Sequence, residues 1–142
     1  IMNDLALKVV KDGEGITKLV KANVSGAKSI KQSKNIALSI INSPLVKTAI
    51  SGEDANWGRI IMAIGKTKEK INQNKLIISF GKYIVCKFGS INQKIKIKEL
   101  NKYMKNHVIE INVNLNNGNY SSTVYGNDLS YEYIRINADY RS

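Results

Sequence analysis

Residues 108–125, VIEINVNLNNGNYSSTVY, decide the fold more than any other stretch of this sequence. Apolar and polar side chains alternate from Val108 to Leu115, which is the period of a β-strand with one buried face. The dipeptide Asn117-Gly118 follows, and tight hairpin turns favour Asn-Gly. Residues 120–125 are again β-prone, so the stretch predicts an antiparallel hairpin in which they return beside the first strand.

Helical patterns and further strand patterns alternate along the rest of the chain. Ser29 is placed to cap a helix that runs to about Asn42, where Pro44 stops it. Further strands are predicted at residues 16–25, 45–50, 76–80, 82–88 and 95–97, and further helices at residues 1–11, 55–64, 99–106 and from 128 onward. Because strands and helices are interspersed and hairpins imply antiparallel pairing, the predicted fold class is α+β, or mixed α/β.

Residues 43–59, SPLVKTAISGEDANWGR, concentrate charged, amide and glycine residues around Trp57, the only tryptophan. Asp54 is placed to cap a helix that starts near Ala55. Gly58 falls inside that helix, where glycine is unfavourable, which suggests a close approach of another backbone. On composition alone, the stretch is typical of a capped core helix with a buried tryptophan.

Length and composition restrict the class of protein. The 142 residues form one domain or part of one. The chain starts with Ile1 instead of an initiator methionine, which suggests a processed or truncated product. No apolar run is long enough to span a bilayer and no signal peptide is recognisable, so no membrane partner is expected. Cys86 is the only cysteine, which excludes an intrachain disulfide and fits a cytoplasmic protein.

The basic balance raises the alternative of a nucleic-acid-binding domain. The formal net charge is +11, from 22 lysines and arginines against 11 aspartates and glutamates. Bidentate recognition of phosphate or guanine favours arginine, but only three of the basic residues are arginines. The lysines do not interleave with aromatic residues as a stacking platform would. A solvated lysine surface is therefore favoured, and no specific nucleic-acid partner is expected.

The residue types alone do not mark a catalytic centre. His107, the only histidine, precedes a strand and has no serine or cysteine placed to form a triad with it. Cys86 lies in an apolar strand, which predicts an inert, buried thiol. The sequence has neither a cluster with metal-ligand spacing nor a phosphate-binding glycine loop, so no metal and no cofactor is expected.

Three stretches together resemble a known family. They are DGEGITK at residues 12–18, the stretch at residues 43–59, and DLSYEYIRINADY at residues 128–140. In this order they are similar to signature motifs of the ornithine acetyltransferase family, the bifunctional glutamate N-acetyltransferases of arginine biosynthesis. One departure is YGND at residues 125–128, where the family usually has Trp-Gly-Cys-Asp.

The resemblance implies that residues 1–142 are the C-terminal portion of the second, or beta, chain of such an enzyme. The implied fold is part of a DmpA/ArgJ-like sandwich, in which helices cover the sheets. Family enzymes cut their own precursor before a threonine, which then accepts the acetyl group. Because residue 1 is Ile1, the nucleophile is expected outside this chain, and no catalytic residue is assigned within it.

The implied activity is transfer of an acetyl group from N2-acetylornithine to glutamate through an acetyl-threonine intermediate, with acetyl-CoA left open as a further donor. The implied partners are the upstream alpha chain and the remainder of the beta chain, in a hetero-oligomer, and the 142-residue chain alone is expected to be inactive. A related N-terminal-nucleophile aminopeptidase, with the same fold and another substrate, is a further alternative.

Three substrate-binding residues carry over from the family by motif, namely Glu14, Asn137 and Ser142. A carboxylate on the glycine-framed turn at Glu14 suits a cationic amine, and the amide of Asn137 suits an amino-acid head group. We expect Glu14 and Asn137 to meet in one cleft. No role is assigned to Asp54, Asn56 or Arg59, which either shape the wall of the site or hold their own turn.

Overall fold

The computed structural model describes residues 18–128, which form six strands and four helices. The strands are β1 (Leu19–Ala27), β2 (Ile77–Phe80), β3 (Tyr83–Lys87), β4 (Ser90–Ile91), β5 (Val108–Asn114) and β6 (Tyr120–Asn127). The helices are α1 (Ile30–Asn42), α2 (Pro44–Ser51), α3 (Trp57–Gly65) and α4 (Ile97–Tyr103), and a short 3₁₀ turn lies at Gln73–Lys75. The helices predicted at residues 1–11 and beyond 128 lie outside the described residues.

The six strands form one mixed sheet in the order β4-β3-β2-β5-β1-β6. β1 pairs in parallel with β5 and antiparallel with β6. The other neighbouring strands are all antiparallel. The predicted mixed α/β class is therefore confirmed, and β1 and β5 are both inner strands of the sheet.

The predicted hairpin between β5 and β6 is wrong, because β1 lies between these two strands. Instead of turning back, the connection crosses the end of β1, where the Asn117 amide donates to the Gly26 carbonyl oxygen at 2.7 Å. Gly118 passes so close to Ala27 that a Cβ atom there would collide with the Ala27 carbonyl oxygen. The alternating pattern did set which face of β5 is buried, but it carries no information about which strand becomes the neighbour.

Helices cover one face of the sheet and form the core with it. α1 packs on β1 and β6 and also contacts α2 and α3. Its start is the predicted one, because the Ser29 hydroxyl accepts a hydrogen bond from the Gln32 amide at 3.0 Å. The buried side chains of this core include Val20, Ala22, Val24, Ile36, Ile40, Ile60, Ile64, Ile78, Phe80, Ile109, Ile111 and Val113.

The segment predicted as a strand at residues 45–50 is helix α2. Pro44 does end α1, but it also begins α2, because a proline in the first helical turn removes no needed hydrogen bond. The Ser43 hydroxyl accepts from the Val46 amide at 3.3 Å and caps this second helix. Val46, Ala49 and Ile50 are buried at helical spacing, a pattern that a short apolar run does not separate from a buried strand.

Two details of α3 differ from the prediction. Asn56, and not Asp54, caps the helix, because the Asn56 side-chain oxygen accepts from the Arg59 amide at 3.2 Å. Among residues 18–128, no other backbone closely approaches Gly58, since the nearest atom to a Cβ built there is Asn56 Oδ1 at 3.4 Å. Trp57 is partly buried and packs against the core.

The third short strand predicted at residues 95–97 is also wrong, since Ile97 begins helix α4. The strand that follows β3 is instead the two-residue β4, which pairs antiparallel with β3. The predictions of β2, β3 and α4 are confirmed within a few residues. No helix within residues 18–128 is long and apolar enough to cross a membrane.

Candidate functional site

The three residues predicted to bind substrate, Glu14, Asn137 and Ser142, lie outside residues 18–128. The described residues nearest to them in sequence are Lys18, which follows the segment with Glu14, and Asp128, which precedes the segment with Asn137 and Ser142. Lys18 and Asp128 contact each other. The Lys18 amide donates to Asp128 Oδ1 at 2.9 Å, and the Asp128 amide donates to the Lys18 carbonyl oxygen at 3.2 Å. The pairing of Leu19 with Asn127, across β1 and β6, produces this contact.

The side chain of Lys18 is buried at this edge of the sheet, with the residue only 4% exposed. Its Nζ donates to the carbonyl oxygens of Met104 at 2.9 Å and Asn106 at 2.8 Å. It also lies 3.3 Å from Glu53 Oε2. An ammonium has three N–H donors, so these three acceptors use its full capacity.

We call this group the Lys18 junction: the side chains of Lys18, Glu53 and Asp128 with the main-chain carbonyls of Met104 and Asn106. Asp128 is fully buried and Glu53 is partly exposed, with 41% of its side chain accessible. The junction joins the start of β1, the loop after α2, the end of α4 and the end of β6. A buried ion needs paired charges and hydrogen bonds to offset the loss of its hydration, and the junction supplies both.

The loop after α2 holds Glu53 in an unusual backbone conformation. Its φ is +59°, in the left-handed region that glycine adopts freely and other residues adopt at a cost of about 1–3 kcal/mol. The loop is fixed by the end of α2, because the Glu53 amide donates to the Ile50 carbonyl at 3.0 Å and the Asp54 amide donates to the Ala49 carbonyl at 2.8 Å. The Glu53 carboxylate thereby reaches Lys18.

Asp54, Asn56 and Arg59 hold the same loop. Asp54 Oδ2 accepts from the Asn56 side-chain amide at 3.3 Å, and Asn56 in turn caps α3. The Arg59 guanidinium donates to the Leu45 carbonyl oxygen at 2.8 Å, which ties α3 to α2. Of the two roles left open for these residues, their contacts support the second, which is to hold their own turn.

The sheet face opposite the core is polar and satisfies its own hydrogen bonds. The Asn23 side-chain amide donates to Asn112 Oδ1 at 2.7 Å, and the Thr123 hydroxyl donates to Asn23 Oδ1 at 2.7 Å. Lys21 Nζ lies 3.5 Å from Glu110 Oε1 on the same face. These side chains pair with their cross-strand neighbours, so the described face is an ordered polar surface.

The two other residues considered from the sequence, His107 and Cys86, differ in exposure. His107 is exposed, and Cys86 is fully buried. Burial raises the pKa of the Cys86 thiol above its ordinary value, against the smaller opposite effect of the Gly89 backbone hydrogen bond, which supports the prediction of an inert thiol. Within residues 18–128, no group of three histidine, cysteine, aspartate or glutamate side chains could hold a metal ion.

One of the buried acceptors beside the Lys18 junction lacks a donor within the described part of the chain. Asn127 Oδ1 is buried and has no hydrogen-bond partner among residues 18–128. Leaving a buried acceptor unpaired costs about 1–3 kcal/mol. Asn127 stands where the family motif has cysteine, and sequence reasoning gave it no role.

Sequence reasoning also missed Lys18 and Glu53. Both lie inside the stretches that carry the family resemblance, at the end of DGEGITK and in SGEDANWGR. Their position in these stretches was the available signal, but a lysine and a glutamate are exposed in most proteins. Only the tertiary structure shows that the lysine is buried and that the two side chains pair.

Comparisons with known proteins agree with the fold and with the motifs. A sequence profile of the ArgJ family matches residues 1–142. The chain is 45% identical over 142 residues to an arginine biosynthesis bifunctional protein ArgJ of Caulobacter vibrioides, and 48% identical to one of Brucella melitensis. The match covers 100% of this chain but 35% and 34% of those proteins, so the chain spans about a third of their length.

A solved structure shows the same fold. The crystal structure of an arginine biosynthesis bifunctional protein ArgJ from Bacillus halodurans superposes with a TM-score of 0.86 at 42% sequence identity. The superposition covers 96% of this chain and 64% of that chain.

Proposed function

Because the chain belongs to the ArgJ family, we propose that it is the C-terminal portion of the beta chain of an acetyl-transferring enzyme of arginine biosynthesis. The proposed reaction moves an acetyl group from N2-acetylornithine to glutamate. Support comes from the match of the whole chain to proteins named as bifunctional in arginine biosynthesis. The three motifs also occur in family order along the sequence.

The contact between Lys18 and Asp128 is the observation that carries the proposed binding site. Glu14 is four residues before Lys18, and a chain of four residues reaches at most about 14 Å. Asn137 is nine residues after Asp128, a reach of at most about 32 Å. Both segments adjoin residues that contact each other, so the chain lengths permit Glu14 and Asn137 to approach a common substrate, which supports the proposal.

The proposed roles follow from the chemistry of the side chains. The Glu14 carboxylate would pair with the ammonium of the amino-acid substrate, and the Asn137 amide would both donate to and accept from its head group. Ser142, with a hydroxyl, would add a further contact. The proposed binding site therefore consists of Glu14, Asn137 and Ser142. The bond-making steps are assigned to residues outside this chain.

The acetyl-carrying nucleophile is proposed to be a threonine at the start of the beta chain, exposed by autocatalytic cleavage. Its hydroxyl attacks the acetyl carbonyl of N2-acetylornithine, its own α-amine takes the hydroxyl proton, and ornithine leaves with a proton on its nitrogen. The amine of glutamate then attacks the resulting ester and releases the threonine hydroxyl. A cytoplasmic location, and a hetero-oligomer with the alpha chain, belong to the same proposal.

The test compares this chain alone with the chain supplied together with the upstream alpha chain and the remainder of the beta chain. We expect acetyl transfer from N2-acetylornithine to glutamate only in the second sample. In that sample, Glu14→Gln and Asn137→Ala should each lower kcat/KM by about 10- to 100-fold, as expected for the loss of a hydrogen bond to a charged group.

Glu99→Gln is the matched control, because Glu99 is an exposed carboxylate of α4 that pairs with the exposed Lys96 at 3.8 Å. It should leave kcat/KM unchanged. Turnover by the 142-residue chain alone, or Glu14 and Asn137 variants with the activity of the unmodified protein, would contradict the proposal.

A further inference from the structure

We propose that one surface of the molecule, which we call the lysine face, binds the phosphate backbone of double-stranded nucleic acid without regard to sequence. It lies where the first half of α1 meets the loop between α3 and β2. The lysine face consists of Lys28, Lys31, Lys34, Lys66, Lys68, Lys70 and Lys75. This binding is separate from acetyl transfer and does not depend on it.

The fold brings together lysines that are far apart in the sequence. Two amide side chains of α1 hold the loop against the helix. The Asn35 amide donates to Glu69 Oε2 at 3.1 Å, and the Gln32 amide donates to the Lys70 carbonyl oxygen at 3.5 Å. Gln32 is buried, and its side-chain oxygen accepts from the Lys28 backbone amide at 2.9 Å. The lysines around the start of α1 therefore lie beside those of the loop.

The connection between β5 and β6 extends the lysine face to Lys75. The Asn116 side-chain amide donates to the Lys75 carbonyl oxygen at 2.7 Å. Gly118, two residues further on, lies so close to Lys28 that a Cβ atom there would be 3.0 Å from the Lys28 Cα atom. Because Lys75 and Lys28 both border this connection, the face is continuous from the loop to the start of α1.

The lysine face carries a strong excess of positive charge. All seven lysines are exposed, and none of them forms an ion pair within residues 18–128. Residues 28–34 and 66–75 contain a single carboxylate, that of Glu69, and the Asn35 amide already binds it. Uncompensated positive charges gathered on one surface attract a polyanion and release its condensed counterions.

Several lysines elsewhere in the described chain have local partners. Lys21 and Lys96 pair with glutamates at 3.5 Å and 3.8 Å. Lys82 and Lys87 lie over neighbouring aromatic rings, at 5.5 Å and 5.7 Å from the ring centroids. Three exposed lysines that have no ion-pair partner within residues 18–128 lie outside the lysine face and serve as a control set, namely Lys94, Lys98 and Lys105.

The residue types of the lysine face fit the backbone of a duplex and not its bases. A lysine ammonium is a point charge that contacts phosphate, whereas base recognition favours the bidentate fork of arginine. Residues 28–34 and 66–75 contain neither an arginine nor an aromatic side chain on which unpaired bases could stack. The partner that this surface fits is therefore double-stranded nucleic acid, bound through its regular array of phosphates.

The experiment uses the protein assembled with its upstream chain and measures binding to short DNA duplexes of two unrelated sequences over a range of salt concentrations. If about five lysines each neutralise one phosphate, the slope of log K against log[salt] should be about −4.5. Affinity should then fall about 500-fold between about 50 mM and about 200 mM salt. The two sequences should bind with equal affinity.

Two triple variants separate the lysine face from net charge. Lys31→Gln, Lys68→Gln and Lys70→Gln together should weaken binding and reduce the slope to about −2, because each lost phosphate contact removes about 0.9. The matched control removes the same charge outside the lysine face and should leave the slope unchanged; it combines Lys94→Gln, Lys98→Gln and Lys105→Gln. Both variants change exposed side chains, so both should keep the free energy of unfolding of the unmodified protein.

Chemical acetylation of lysines, followed by mass spectrometry, locates the bound duplex independently. The duplex should protect the lysine face and leave the control set as reactive as in the free protein. Three results would overturn the proposal: no duplex binding at about 50 mM salt, equal weakening by the two triple variants, or equal protection of the two sets of lysines. A clear preference for one duplex sequence, or binding to anionic lipid vesicles in place of the duplex, would also overturn it.

Discussion

Gly126 allows α1 to lie directly on β6, and replacing it gives a sharp test of this packing. A Cβ atom at Gly126 would lie 2.5 Å from Ile41 Cγ2, well inside van der Waals contact, and Ile41 is only 5% exposed. Such overpacking typically costs about 1–3 kcal/mol, and alanine recovers about 0.5–1 kcal/mol relative to glycine within a strand. We therefore expect Gly126→Ala to lower the free energy of unfolding by about 1–2 kcal/mol.

The second half of this experiment is a double-mutant cycle with Ile41. Ile41→Ala alone should cost about 2–5 kcal/mol, because it leaves a cavity. It also removes the Cγ2 atom with which the new methyl collides, and the Ile41 Cβ lies 3.8 Å away, at an ordinary contact distance. In the Ile41→Ala background, Gly126→Ala should thus become neutral or stabilising, a coupling of about 1–3 kcal/mol.

Urea unfolding followed by circular dichroism measures the free energy of unfolding of the unmodified protein, the two single variants and the double variant. Gly65→Ala in α3 is the control, since a Cβ there meets no atom of the described part of the chain within 4 Å, and it should be neutral or slightly stabilising. If Gly126→Ala costs the same in both backgrounds, within about 0.5 kcal/mol, the close packing of α1 on β6 at this point is refuted.

Two further predictions concern the cap of α3 and the buried thiol. Asn56→Ala should lower the free energy of unfolding by about 0.5–2 kcal/mol and Asp54→Ala by clearly less, because only Asn56 caps the helix; equal losses in urea unfolding would contradict this. Burial raises the Cys86 pKa above its ordinary 9.0, so the unfolded chain loses the thiol proton at a lower pH than the folded chain. The stability that comes from keeping this thiol protonated is therefore fully present below pH 9.0 and is lost as pH rises towards the folded pKa. The stability advantage of the unmodified protein over Cys86→Ala should therefore shrink as pH rises above 9.0, and an advantage that is constant or grows would contradict the assignment.

The sequence predicted best those features that local signals determine. The Ser29 cap and the apolar spacing of residues 30–42 fixed α1 at its start and its end. The strict alternation in β5 predicted which of its side chains are buried, and Ile109, Ile111 and Val113 are all in the core. These signals act within one or two turns of helix or along one strand, so no tertiary information is required to interpret them.

The failures have a common physical cause, which is competition from distant parts of the chain. The segment 45–50 has an apolar run that suits either a strand or a helix, and its contacts with α1 and α3 favour the helix. The Asn117-Gly118 dipeptide favours a hairpin locally, but the parallel pairing of β1 with β5 takes the position that β6 would have occupied. Pairing energies summed over a whole strand outweigh the preference of one turn.

The candidate site shows the same division. The motifs predicted Glu14, Asn137 and Ser142 as substrate-binding residues. These residues lie outside residues 18–128 and stay predictions. Lys18 and Glu53 were not predicted as site residues, although they lie in the same motifs. The burial of Lys18 and its pairing with Glu53 exist only after four separate elements have assembled. A lysine among many exposed lysines has no sequence feature that reveals this.

The wrongly predicted hairpin has a consequence for the site. Neighbouring strands lie about 4.8 Å apart, so a hairpin that placed β5 between β1 and β6 would separate the ends of β1 and β6 by about 10 Å. Lys18 and Asp128 could not then exchange their two hydrogen bonds, and the segments that carry Glu14 and Asn137 would leave the sheet from separated strands. With β1 in the inner position, the two segments leave from adjacent strands. The insertion of β1 between β5 and β6, which no local pattern indicated, is thus the feature of the fold that brings Lys18 and Asp128 into contact.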